Sequence, residues 1–210
     1  MQPVFRPFIL ILSAWLFCLS FSLAPAMAET WQDLSTDGLR AADEGRFKDA
    51  EALFRKAYEL GQAFDQSDPR QATSINNLAY ALHANGSYAD AVELYQKAIS
   101  LREATLGRDH PDIAESSNNL GELFRVLGKY EDSERLHRRA IDIRQRTFGD
   151  DHPDTAQSMN NLGVLYAERR LFDEAGELYQ KALTVRETSY GDDHPATAET
   201  RTNLATLYYA

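Results

Sequence analysis

The chain contains little of what disulfide-stabilised and nucleic-acid-binding proteins depend on. Of its 210 residues, one is cysteine and seven are proline. A single cysteine cannot form an internal disulfide, so packing alone must stabilise the fold. Basic residues are also scarce, with 22 Lys and Arg against 32 Asp and Glu and a formal net charge of −10. This balance opposes unaided binding to nucleic acid or to an anionic membrane, because both require clustered positive charge.

Several catalytic motifs are absent as well. The sequence has no glycine-rich phosphate loop, no Gly-x-Ser-x-Gly turn and no His-Glu-x-x-His pair. We therefore predict no catalytic residue, no cofactor and no metal site, and we expect that the chain is not an enzyme. With 43% hydrophobic residues the composition also argues against general disorder.

The N-terminal segment, residues 1–28, differs from the rest and predicts a cleaved export signal. One positive charge, Arg6, precedes an apolar run over residues 8–23, and Ala26-Met27-Ala28 provides a cleavage site before Glu29. Cleavage would leave residues 29–210, without Cys18 and with a net charge of about −11, because Arg6 is the one charged residue removed. We expect a periplasmic protein of a Gram-negative bacterium, with no membrane contact after cleavage. There are two alternatives. The protein is secreted, or the segment remains as an uncleaved anchor, because the apolar run could almost span a bilayer.

The rest of the chain repeats every 42 residues, for example from Asn76 to Asn118. The motif Asn-Asn-Leu and the motif Asp-His-Pro both recur in step, the first with one change in its last copy and the second with a degenerate first copy. The copies of the first motif are Asn76-Asn77-Leu78, Asn118-Asn119-Leu120, Asn160-Asn161-Leu162 and Thr202-Asn203-Leu204. The copies of the second motif are Asp68-Pro69, Asp109-His110-Pro111, Asp151-His152-Pro153 and Asp193-His194-Pro195. Such self-similarity indicates a solenoid, in which each unit buries its apolar face against its neighbours. Solenoids present a long continuous surface, so the pattern favours binding over catalysis.

One repeat predicts a pair of antiparallel helices. Pro153 suits the first turn of a helix, with Asp151 or His152 as its cap. Residues 169–171 form a tight turn, which contains glycine in the earlier copies, and a second helix runs from about Phe172 to Thr188. The inward residues of the first helix recur every three to four positions: Ala156, Met159, Leu162, Gly163 and Tyr166.

This pattern resembles the tetratricopeptide repeat. In the fourth copy the seven signature positions of that family hold Leu162, Gly163, Tyr166, Phe172, Ala175, Tyr179 and Ala182. The third copy departs from the signature at Ser133 and His137, which stand where a small residue and an aromatic are expected. The period exceeds the family's usual value of about 34 residues by roughly eight and is similar to the kinesin-light-chain type. The resemblance implies an all-α fold, a right-handed α-solenoid of helix-turn-helix units.

The repeats divide residues 29–210 into five units. These are a capping repeat at about 31–67, full repeats at 68–108, 109–150 and 151–192, and the first helix of an incomplete repeat at 193–210. In the last unit we expect Leu204, Leu207 and Tyr208 to face inward. The apolar face of this helix is left open, and there are two explanations. The helix is a short cap or packs on another copy of the chain, which would give self-association. Otherwise the chain is part of a longer protein in which the array continues.

The resemblance also implies a peptide-binding groove along the first helices of the hairpins. Counted from the leucine of each Asn-Asn-Leu motif, the first asparagine falls on the groove side and the second points towards the neighbouring hairpin. Asparagine can pair with the backbone of an extended peptide, although both asparagines could instead tie down the preceding loop. The groove lacks the Lys and Arg cluster needed to bind a C-terminal carboxylate. The predicted groove residues are Thr73, Asn76, Tyr80, His83, Glu115, Asn118, Glu122, Arg125, Gln157, Asn160 and Val164.

Two sets of residues admit a functional and a structural interpretation, and we favour the structural one for both. The histidines of the Asp-His-Pro motifs are predicted to cap helices, because equivalent positions two helices apart cannot share a metal ion whose bonds are about 2 Å long. The basic run of the third repeat is predicted to be a solvated face paired with nearby glutamates. That run is Arg135, His137, Arg138 and Arg139, and the glutamates are Glu131 and Glu134.

The sequence therefore predicts a non-enzymatic scaffold that binds a peptide or protein segment in a concave groove. The alternative is the recognition or regulatory module of a longer effector enzyme, such as a CHAT-type peptidase, to which bacterial arrays of this type are often fused. The identity of the partner does not follow from the fold, because arrays share a scaffold and differ in a few groove residues.

Overall fold

Nine α-helices and no strands make up residues 29–209, the part of the chain that the computed structural model describes. The predicted export signal, residues 1–28, lies outside the described residues. None of the helices in residues 29–209 has the length and apolar character needed to cross a bilayer. The helices are α1 (Trp31–Asp43), α2 (Phe47–Gly61), α3 (Pro69–Ala84), α4 (Tyr88–Leu106), α5 (Pro111–Val126), α6 (Tyr130–Phe148), α7 (Pro153–Glu168), α8 (Phe172–Tyr190) and α9 (Pro195–Tyr208).

The helices pair in sequence order into four hairpins, and α9 packs on the last of them. Each helix contacts the one before it and the one after it. The first helices α1, α3, α5, α7 and α9 also contact one another in turn, whereas the second helices within the described residues do not. The first helices are therefore crowded together on the inner, concave side of the array. The predicted all-α solenoid is confirmed.

Each Asp-His-Pro motif starts a first helix in the same way. Nδ1 of His110, His152 and His194 accepts a hydrogen bond from the backbone N–H two residues later, at 3.1–3.2 Å, and the proline occupies the first turn. In the degenerate copy Asp68 accepts the equivalent bond from the Arg70 N–H at 2.9 Å. The predicted capping role is confirmed, with histidine rather than aspartate as the cap. Among the described residues no three His, Cys, Asp or Glu side chains are grouped to hold a metal ion.

The turn within each hairpin requires one residue in the left-handed conformation. Gly86 and Gly128 supply it with φ of 85° and 71°, as predicted. In the last hairpin Arg170 takes the same conformation with φ 61°, where a side chain costs more than glycine.

A glycine on the first helix contacts a large ring on the second helix at the centre of three of the four hairpins. Tyr179 packs against Gly163, and His137 packs against Gly121 in the same manner. A Cβ atom added at Gly163 would lie 2.7 Å from Cε1 of Tyr179, closer than packed carbon atoms allow. In this hairpin the Tyr179 ring therefore occupies the space that a Cβ atom at residue 163 would need.

We expect Gly163→Ala to lower the free energy of unfolding by about 2 kcal/mol, because the new methyl group overpacks a buried contact. Gly176→Ala is a matched control, since a Cβ there would meet only a flexible leucine side-chain atom at 3.3 Å. Because alanine favours helix over glycine, the control should be neutral or stabilising by up to about 1 kcal/mol. Urea unfolding followed by circular dichroism measures the free energy of unfolding of both variants. Equal changes in the two variants would contradict this account of Gly163.

The predicted inward face of α9 is only partly correct. Leu204 is buried and Leu207 is half-buried against the preceding hairpin, as predicted. Tyr208 is 77% exposed, so its prediction as an inward residue is wrong. Tyr208 is the last residue of α9 and lies about 100° around the helix from Leu207 and about 40° from Leu204, so it falls on the outer edge of the packed face.

Candidate functional site

The inner face of the array presents an ordered set of accessible side chains, here called the concave surface. The first helices pack on their own second helices and on both neighbouring hairpins, so their remaining side faces solvent. The accessible residues recur at spacings of four, three and four along α3, α5 and α7, and of four and three along α9. The concave surface comprises Thr73, Asn77, Tyr80 and Ala84 of α3; Glu115, Asn119, Glu122 and Val126 of α5; Gln157, Asn161, Val164 and Glu168 of α7; and Glu199, Asn203 and Thr206 of α9.

The centre of the concave surface is an ionic cluster that joins two hairpins. Arg125 donates from Nε to Glu122 Oε2 at 2.8 Å and also forms an ion pair with Glu168 on the next first helix. Burial opposes ionisation of Glu122, but the hydrogen bond and positive charge of Arg125 outweigh it and hold the pKa of Glu122 below its ordinary value. Two carboxylates therefore share one guanidinium, which leaves one negative charge in excess.

The end of the concave surface nearest the N-terminus is aromatic. Tyr80 is 39% exposed and packs edge-to-face on Phe47, with ring centroids 6.3 Å apart. His83 packs in the same way on Tyr88 at 5.9 Å. Burial lowers the pKa of His83, which favours its neutral form. This end of the groove thus presents ring faces and edges rather than charge.

The opposite end contains a small cavity of about 260 Å³ between α7, α8 and α9. Most of its lining atoms belong to apolar or aromatic side chains, with an amide and a carboxylate at the edge. A cavity of this kind suits one apolar side chain of a ligand. The lining residues are Val164, Ala167, Glu168, Phe172, Tyr179, Asn203, Thr206 and Leu207.

The prediction that the first asparagine of each pair lies in the groove is wrong. Asn76, Asn118 and Asn160 are only 2%, 4% and 1% exposed. Each bonds to the next hairpin: Ser116 donates to Asn76 Oδ1 at 2.8 Å, Asn118 donates to Ser158 Oγ at 2.7 Å, and Asn160 accepts from Asn203 at 3.2 Å.

The second asparagine of each pair, predicted to point at the neighbouring hairpin, is the one on the concave surface. Asn77, Asn119, Asn161 and Asn203 are all partly accessible there. The two assignments are exchanged because adjacent residues of a helix point about 100° apart. Of the other predicted groove residues, Glu115 and Gln157 are exposed, Thr73, Glu122 and Val164 are half-buried on the same surface, and His83 and Arg125 lie beside it.

Sequence reasoning missed a series of buried arginines at the period of the repeat. Arg102, Arg144 and Arg186 recur once per repeat near the ends of the second helices, and each is at most 9% exposed. Their recurrence is visible in the sequence, but arginine is usually a surface residue, so residue type alone predicts that these side chains are exposed.

Each of these arginines bonds across to the next first helix. Nη1 of Arg102 donates to the carbonyl of Asp112 at 2.5 Å and to Ser116 Oγ at 2.6 Å. Arg144 donates to the carbonyl of Asp154 and to Ser158, and Arg186 to the carbonyl of Ala196 and to Thr200, at 2.6–2.9 Å. The buried asparagines and arginines together form a repeated polar connection between hairpins.

The basic run of the third repeat is only partly a solvated face. Arg138 pairs with Glu134 at 2.9 Å as predicted, but Arg135 pairs with Asp132 rather than Glu131, and Arg139 pairs with Glu103 on α4.

His137 is not solvated at all. The residue is fully buried, with Nδ1 at 3.1 Å from Asn118 Oδ1. Burial lowers the pKa of His137 from 6.5 to about 4. The prediction that placed it at the packed aromatic position is confirmed, and the one that counted it with the solvated basic run is wrong.

Comparison with known proteins agrees with this geometry. Two sequence models of the tetratricopeptide repeat match the chain, one at residues 71–112 and the other at 112–171 and 160–210. No curated protein matches it.

Solved structures of the kinesin-light-chain type share the fold. BtubC (BKLC) from P. vanneervenii superposes with a TM-score of 0.73 at 28% identity, covering 85% of this chain and 71% of that one. A putative kinesin light chain from Podosopora anserina, with nearly identical TPR-like repeats, gives 0.68 at 22% identity and covers 85% of each chain. The repeat models and the hairpin geometry show that the chain belongs to the tetratricopeptide-repeat family, and its structural neighbours include kinesin-light-chain-like repeat proteins.

Proposed function

We propose that the protein is a non-enzymatic scaffold that binds an extended segment of another protein along its concave surface. Tetratricopeptide repeats generally mediate protein interactions. The observation that supports this role here is the row formed by Asn77, Asn119, Asn161 and Asn203, one amide on the inner face of each of the helices α3, α5, α7 and α9.

An amide row of this kind suits the backbone of an extended chain. Each amide carries a donor and an acceptor, so it can bond to a peptide group regardless of the ligand's side chains. Within the described residues Asn77 and Asn119 make no side-chain hydrogen bond, while Asn161 accepts one from Gln157 at 3.3 Å. Asn77 and Asn119 therefore keep their hydrogen-bonding capacity for a ligand, whereas Asn203 already donates to Asn160 at 3.2 Å.

The array is suited to binding without rearrangement. The helices beneath the row are fixed by the buried asparagines and arginines, so the groove exists before a ligand arrives. A preformed site loses little conformational entropy on binding, which makes many weak contacts sufficient for useful affinity.

We further propose that this binding takes place in the cell envelope. The support is the N-terminal sequence alone, in which a positive charge, an apolar run and a small-residue cleavage site follow one another. Finding the protein in a periplasmic fraction with an N-terminus at Glu29 would support export, and finding it intact in the cytoplasm would contradict it.

Dodecapeptides selected from a random library on the wild-type protein provide a probe for the groove. The variant N77A/N119A/N161A should bind these peptides roughly 10- to 2,000-fold more weakly, because three net hydrogen bonds of about 0.5–1.5 kcal/mol each are removed. Calorimetric titration measures the dissociation constants.

The double variant Q96A/Q180A is the matched control, since both glutamines are exposed on second helices. Its affinity for the peptides should equal that of the wild type. Unchanged binding by the asparagine variant, with its helix content intact, would overturn the groove assignment.

A further inference from the structure

The side chains of the concave surface change in character along the array. Tyr80 of α3, which is 39% exposed, provides an apolar end. Glu115, Glu122 and Glu168 form the middle. Val164, together with Leu207 at the cavity wall, provides a second apolar end. A ligand that lies along the groove crosses an apolar, then an acidic, then an apolar region.

The charge that reaches solvent in the groove is negative. The side chains of Glu115, Glu122, Glu168 and Glu199 are 37–53% exposed. The arginines paired with them lie deeper, since Arg102 and Arg186 are at most 3% exposed and Arg125 is 18% exposed. A ligand therefore meets carboxylate oxygens rather than guanidinium groups, on a protein of net charge −10.

The distance between the two apolar regions sets the spacing of the ligand's side chains. Packed helices lie about 8–10 Å apart, and α3, α5 and α7 are in contact in turn. Two such steps separate Tyr80 from Val164, or roughly 20 Å. An extended chain advances about 3.3 Å per residue, so about six residues cover this distance.

Building on the proposed function, we infer that the preferred ligand is an extended segment with a Lys or Arg flanked on each side, about three residues away, by an apolar residue. The cation lies against Glu122 and Glu168, one apolar residue packs on Tyr80, and the other enters the cavity beside Val164. An acidic segment is rejected, because its carboxylates would face those of the groove without an accessible positive partner.

The sequences of the peptides selected from the random dodecapeptide library test this inference. We expect enrichment of one Lys or Arg with apolar residues about three positions before and after it. Replacing that basic residue by Glu in a synthetic peptide should weaken binding at least 10-fold. Glu168→Gln in the protein should weaken binding of the basic peptide at least 3-fold, whereas Glu177→Gln on α8, which lies outside the concave surface, should leave it unchanged.

The outcomes separate this inference from the proposal on which it rests. Suppose that the selected peptides have no excess of basic residues, or are acidic, and still bind N77A/N119A/N161A more weakly than the wild type. The charge preference would then be overturned, and the groove would still be the binding site. Selected peptides that bind this variant as tightly as the wild type would overturn the groove itself. Failure to enrich any peptide above a selection on the asparagine variant would overturn both.

Discussion

Acidification from pH 7 to pH 4.5 should cost the folded array about 2.5 kcal/mol through a single side chain, His137. Its imidazole is fully buried and its pKa falls from 6.5 to about 4. Burial is the main cause, and the carboxylate of Glu122 and the guanidinium of Arg125 act on it in opposite directions. Each pKa unit corresponds to about 1.36 kcal/mol between the two protonation states.

The direction follows from which state takes up the proton. Between pH 6.5 and pH 4 the unfolded chain protonates His137 and the folded chain does not, so lowering the pH favours unfolding. The stabilising contribution of neutral His137 is fully present above pH 6.5, decreases as the pH falls towards 4, and changes little below that value.

Tyrosine is the appropriate replacement, because Tyr179 occupies the equivalent position against Gly163. His137→Tyr should remove about 2.5 kcal/mol of the difference between the free energies of unfolding at pH 7 and pH 4.5. Urea unfolding at the two pH values gives this difference directly. Carboxylates also titrate in this range. The test is therefore the pH-induced change in the free energy of unfolding of the wild type minus that of the variant.

His110→Asn serves as the control, since His110 is a half-exposed helix cap and asparagine caps equally well. This substitution should change the free energy of unfolding at pH 7 by less than about 1 kcal/mol. A His137→Tyr protein that retains the full acid sensitivity of the wild type would show that the buried imidazole is not its source.

Arg102→Ala should lower the free energy of unfolding by about 3 kcal/mol and weaken the connection between two halves of the array. The guanidinium joins α4 to α5 through the carbonyl of Asp112 and the hydroxyl of Ser116. Truncation leaves that carbonyl without its buried donor and opens a cavity, and both effects are destabilising.

The position of Arg102 predicts a second effect. Stability in a repeat array is a sum of unit terms and interface terms between neighbours. A weaker interface between α4 and α5 should therefore make the segments before and after it unfold less cooperatively. The urea transition should broaden, and hydrogen exchange should show different protection in α1–α4 and α5–α9.

Arg146→Ala provides the comparison, because Arg146 is an exposed arginine that pairs with Asp142 and with Asp109. Exposed ion pairs contribute about 0–1 kcal/mol, so this variant should unfold nearly as the wild type does. Equal effects of the two substitutions would mean that burial and the bonds to α5 do not distinguish Arg102.

The fold could be predicted from the sequence because the period fixes the hairpins. Pro153 and His152 mark the start of α7, and the turn before Phe172 marks its end, so these boundaries depend on local chemistry. The second helix extends past the predicted Thr188 to Tyr190. Helix ends are less certain because nothing in the sequence enforces a stop before Gly191.

The candidate site was harder to predict because it depends on rotation about a helix axis. The shift that exchanges Asn76 and Asn77 is a single position, but it decides whether an amide is in the core or in solvent. His137 was similarly ambiguous, because its place in the basic run predicts a surface position and its place in the repeat predicts a core position.

The buried arginines could not be recognised from residue type. The partners of Arg102 are a backbone carbonyl and a hydroxyl ten and fourteen residues further along the chain, which no pattern of hydrophobicity reveals. Only the recurrence of arginine at the same position of successive repeats indicates them, and it becomes meaningful once the core positions between α4 and α5 are known.

The bonds between hairpins have a consequence for how such genes can change length. Arg102 and Arg144 donate to partners at the same offsets, ten and fourteen residues ahead. If recombination removed the segment from Pro111 to His152, Arg102 would meet the carbonyl of Asp154 and the hydroxyl of Ser158 in place of its present partners. Whole repeat units can thus be lost or duplicated without a compensating mutation, and the length of the binding surface can evolve separately from the residues that line it.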